Sequence, residues 1–155
     1  MRYLTILIFA VFCGAGFLCV ACYSEHGERR RAELLVAEKN GLHESVREFE
    51  RAVLLFETAK CRIRIDALDE VTYRYAAWSR GAPMSEKPDL ILHDGEWIPE
   101  GSLGNGAYKF TNGNYVYECY YGVTGPVGGT YPCAVLTVCK NGEKILSQDA
   151  EKLWY

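Results

Sequence analysis

Three patterns of apolar and polar positions follow one another along the chain. From Tyr3 to Tyr23 no residue is charged, a run long enough to cross a hydrocarbon core of about 30 Å. Further on, Leu35, Leu42, Phe49, Phe56 and Ile63 recur every seven positions, with Val46 and Val53 four residues after Leu42 and Phe49. That period predicts an amphipathic helix with a coiled-coil-like seam. Glu44/Arg47, Glu48/Arg51 and Glu57/Lys60 sit three apart on its outer side and add a little support. Asn40-Gly41 predicts a kink or break, while Asp66 offers an N-cap to a displaced stripe of Leu68, Val71, Tyr75 and Trp78 that Gly81 and Pro83 would stop.

The third pattern is alternation. Tyr108–Thr111 and Asn114–Tyr121 flank Asn112-Gly113, and Ala134–Lys140 and Glu143–Ser147 flank Asn141-Gly142. Asn-Gly supplies the positive φ angles of a tight hairpin turn, so two antiparallel hairpins are predicted. Asp89–His93 adds an edge strand. The expected fold class is therefore α+β. An N-terminal hydrophobic membrane or signal segment occupies 1–23, a long amphipathic helical stalk packs on the sheet over 24–80, and a four- to five-stranded antiparallel β-meander fills 81–155.

Composition agrees with that division. Residues 25–80 hold eleven acids, eleven bases and no proline, whereas all five prolines and eleven of the fifteen glycines lie in 81–155. At 155 residues and 49% apolar the chain can bury one sizeable core. A net charge of −3 gives no general attraction to a phosphate backbone, so nucleic acid is not an expected partner.

Seven cysteines are many for this length. Cys19-Val20-Ala21-Cys22 resembles the lipobox of bacterial lipoproteins, departing from it where Cys19 replaces the usual Leu. The resemblance implies cleavage after Ala21 and lipid on Cys22. Arg2, the apolar stretch and the small residues before Ala21 also read as a plain secretory signal. Either places the remainder outside the cytoplasm, periplasmic or on the cell surface. The alternative is an uncleaved single-pass anchor, and Arg29, Arg30 and Arg31 after the span then favour a cytoplasmic C-terminal domain. Four cysteines outside the apolar segment suit an oxidising compartment, and a hairpin centred on Pro126 brings Cys119 opposite Cys133 as a candidate disulfide.

Candidate chemistry is sparse. The cysteines lack the short paired spacings of a zinc site, the glycine-rich stretches 101–106 and 122–129 lack the Gly-Lys-Ser/Thr ending of a phosphate loop, and no cofactor is expected. His93 beside Asp94 is the one suggestive pair, with a strand end running into an Asp-Gly turn as its ordinary explanation. Tyr108, Tyr115, Tyr117 and Tyr121, with Trp97 upstream, form either the core beneath the helix or an aromatic interaction surface. In the predicted register Tyr108 faces Tyr117 and Phe110 faces Tyr115. The functional expectation is a non-enzymatic envelope binding module, with membrane lipid and an unidentified protein as partners. The alternatives are a subunit that self-associates into a homo-oligomer through the Leu35-to-Ile63 seam, and a small hydrolase using His93 and Asp94. The architecture resembles that of type IV pilins, whose short basic leader and early Glu are absent here.

Overall fold

A computed structural model describes residues 36–101, 104–124 and 131–154. The chain divides into two compact units, Met1–Ala37 and Glu38–Tyr155, and the second is almost entirely β. Its nine strands are β1 (Arg51–Glu57), β2 (Cys61–Ala67), β3 (Tyr73–Ser79), β4 (Leu90–Pro99), β5 (Gly106–Asn112), β6 (Tyr115–Thr124), β7 (Tyr131–Lys140), β8 (Glu143–Asp149) and β9 (Lys152–Trp154). They form one antiparallel sheet in the order β8-β7-β6-β5-β4-β3-β2-β1-β9, a half-barrel. β8 and β9 stand at opposite ends of that order, yet only Ala150 and Glu151 separate them in sequence. Since an extended chain advances about 3.4 Å per residue, the sheet must curl until its two edges nearly meet. Side chains complete the approach, with Thr58 Oγ1 donating to Gln148 Oε1 of β8 at 2.8 Å.

The helical stalk and the α+β class are thereby overturned. The seven-residue spacing has another source. Phe56 and Ile63 are direct cross-strand partners in the β1–β2 hairpin, and a pair placed symmetrically about a short turn falls at i, i+7 as readily as a pair on two helical turns. Strand chemistry is also explicit in Arg62-Ile63-Arg64-Ile65-Asp66-Ala67, where polar and apolar residues alternate and the β-branched isoleucines prefer extended backbone. Val53 sits at an irregularity in β1, where the pairing jumps between Ala52 and Leu54. Leu42, Val46 and Phe49 belong to none of the strands. Leu35 lies outside the described residues. Asn40-Gly41 does mark a break, since helical residues 36–40 give way there to a turn.

Residues 38–50 form a strap across the outer face of β2 and β3. A 3-10 turn, Glu44–Val46, opens with the His43 ring accepting from the Ser45 amide at 3.2 Å. His43 N donates to the Met84 carbonyl at 2.8 Å, and Glu50 N donates to the Ala67 carbonyl at 2.9 Å. Leu42, Val46 and Phe49 are buried beneath this strap, each worth about 1.5–3 kcal/mol as apolar burial.

In the C-terminal half two registers need correction. Asn112 pairs with Tyr115, so the turn is Gly113-Asn114, with Gly113 at φ +61. Glycine at the first central position of a II′ turn satisfies the same twist as the I′ turn expected one residue earlier. Tyr108 therefore faces Cys119, and Phe110 faces Tyr117. At Asn141-Gly142 both residues have positive φ, 52° and 84°, as a I′ turn requires. β6 and β7 place Cys119 opposite Leu136 and Cys133 opposite Gly122. The two cysteines are thus out of step by three residues and lie on opposite faces, beyond the 4.4–6.8 Å Cα separation a disulfide needs. β4 is not an edge strand but lies between β3 and β5.

Candidate functional site

The inner face of the curled sheet is a continuous apolar layer. Phe56, Ile63, Ile65, Tyr75, Phe110, Cys119 and Leu136 are among its buried members, and Trp97, Tyr108, Tyr115, Tyr117 and Tyr121 pack against them half-buried. Tyr75 is the centre of one ring group, with centroids 5.6 Å from Phe110 and 5.8 Å from Tyr117. Burial holds its phenol well above the ordinary tyrosine range and pushes the Cys119 thiol up likewise. That thiol is therefore kept protonated and unreactive.

A second ring group lies at the end of the sheet where β4 runs into β5. Trp97 and Tyr108 are direct cross-strand partners with ring centroids 4.6 Å apart, and Tyr73 meets Tyr108 edge-on at 4.9 Å. Such pairs contribute about 0.5–1.5 kcal/mol beyond their buried area. The Trp97 indole lies against Gly106, where a Cβ would come within 2.5 Å of the ring, so only glycine lets it lie flat there. Burial pushes the Tyr108 phenol up to about 12; neighbouring Tyr73 adds to this and Arg51 opposes it. Rings that are partly open, rigidly held and provided with hydroxyl and guanidinium groups can stack on a planar or apolar ligand face while hydrogen-bonding its rim. Tyr115, at the far end of β5–β6, instead lies beneath the Lys140 ammonium, 5.1 Å from its ring centroid.

On the outer face of β2 and β3 the chemistry is ionic. Asp66 is fully buried and bridges two arginines, accepting from Arg64 Nε at Oδ1 and from Arg74 Nη2 at Oδ2, both at 2.7 Å. Arg64 Nη1 reaches Glu38 Oε1 at 2.7 Å. The Arg74 guanidinium also ties down the strap, donating through Nη1 to the Glu48 carbonyl at 2.9 Å and through Nη2 to the Val46 carbonyl at 2.7 Å. Phe49 caps the set, its ring centroid 4.6 Å from the Arg64 guanidinium carbon. Burial pushes the Asp66 carboxyl up against the pull of Arg64 and Arg74. None of these three residues stood out as a site in the sequence. The available signal for two of them was Arg62, Arg64 and Asp66 alternating with apolar residues on β2, which a two-faced buried sheet explains and a solvated helix also accommodates.

The remaining sequence candidates are dispersed. His93 and Asp94 are both exposed at an irregularity of β4, with Asp94 at φ +57. His93 lines an open hollow of about 520 Å³ whose wall includes Arg74, Glu48 and Glu50. Asp94 does not line it, so the two neighbours do not converge on one site. Among the described residues no group of three or more His, Cys, Asp or Glu side chains is placed to hold a metal ion. No helix among the described residues is long and apolar enough to cross a membrane, and the uncharged run from Tyr3 to Tyr23, with Cys22, lies outside them. Among the described residues the seam is split, with Leu42, Val46 and Phe49 on the strap and Val53, Phe56 and Ile63 on the sheet, so these six present no single stripe for a second chain.

These two faces define a curled antiparallel sheet with an aromatic interior and a strapped ionic exterior. No protein-family model matches the chain, and neither a curated protein nor a solved structure shows significant similarity to it.

Proposed function

We propose that this chain is a non-enzymatic binding module of a cell envelope. It is held at a membrane by residues 3–22 or by lipid on Cys22, and the ring group at the β4–β5 end of the half-barrel is its ligand surface. The observation carrying this reading is that the Trp97 and Tyr108 rings pack against each other, tilted, with centroids 4.6 Å apart, while both remain half-buried. Fully internal rings would serve the core alone; these have surface left to offer. Aromatic side chains of this kind lose little conformational entropy on binding and dominate contact energies where they occur.

Site-specific photocross-linking in native membranes tests it. A photoreactive phenylalanine at position 97 is expected to capture a discrete partner or ligand that the same group at Ile145, on β8 and 56% exposed, does not. Identical adduct patterns from the two positions would remove the aromatic end as a binding surface.

A further inference from the structure

We draw no further inference here: the strongest candidate, the open hollow beside the strap that Glu48, Glu50, Arg74 and His93 line, sets two exposed acidic residues next to a buried guanidinium already committed to Asp66 and the strap carbonyls, and nothing in the structure shows what covers it.

Discussion

β2 and β3 are buried on both sides, and their two faces are held by opposite chemistry. Inward, Ile63, Ile65, Ala67, Tyr73, Tyr75 and Ala77 join the apolar layer of the half-barrel. Outward, Arg64, Asp66 and Arg74 form an ionic set under the strap, with Ala76 and Trp78 beside them. The inner face owes its stability to area removed from water, which is non-directional. The outer face owes its geometry to hydrogen bonds that name their partners, since Arg74 binds two particular carbonyls of the strap. Burying three charges there is not an efficient way to gain stability. What it does is fix where residues 38–50 lie, and so where the chain preceding the sheet enters it.

The largest separation between the faces is expected from Asp66→Ala. It strands two buried guanidiniums and should cost about 3–5 kcal/mol in urea unfolding. Ile65→Ala, its neighbour on the inner face, should cost about 2–5 kcal/mol through a cavity, with little dependence on salt. A triple replacement, Arg64→Met with Asp66→Leu and Arg74→Met, sharpens the contrast. It removes all the buried charge at once and should recover most of the Asp66→Ala loss. It should still remain about 1–3 kcal/mol below the native chain, because the Val46 and Glu48 carbonyls lose their donor. Full recovery would mean that the strap does not depend on Arg74. Thr58→Val, which removes the hydrogen bond to Gln148 at the closing edge of the sheet, should cost about 1 kcal/mol.

The remaining effects are ones of pH, and the first belongs to the inner face. Tyr108 ionises near 12 in the folded chain against an ordinary value of 10.0, so the folded state holds a proton that the unfolded state releases. Its stabilisation is complete below pH 10 and is lost as pH rises from there to about 12. Phenolate absorbance should show two late-titrating tyrosines, Tyr75 and Tyr108, and Tyr108→Phe should remove one of them. Glu57 contributes with the opposite sign. The Arg62 hydrogen bond holds its carboxyl below the ordinary value of 4.5, so its share is present above that value and is lost as pH falls through the folded one.

The strands β5 to β8 are legible because alternation and Asn-Gly turns mark them, although β4 is read only as far as His93, β9 has no signal of its own and the first hairpin's register is displaced. Residues 51–79 are not legible, for a physical reason. A strand buried on both faces shows no polar side, and when one face is satisfied by Arg–Asp–Arg the sequence shows charges with no sign that they are buried. Phe56 and Ile63, seven apart, then suit a helix and a hairpin equally, and Leu42, Val46 and Phe49 supply the remainder of an apparent heptad from a strap that is neither. The aromatic cluster was read from sequence as a single group around the first hairpin. The β4–β5 pairing instead gives Tyr108 to Trp97, with Tyr73 beside it, and the two-residue displacement of the hairpin's register gives Tyr117 to Phe110, with Tyr75 beside them.

The most direct test of a sheet locked from outside by the strap is native-state amide hydrogen exchange. Here the His43 and Glu50 amides, bonded to Met84 and Ala67, should exchange only with global unfolding, at the rate of the Ile65 amide in the middle of β2. Rapid exchange at His43 and Glu50 beside a protected Ile65 would show that the strap is not part of the cooperative fold, and would contradict the account.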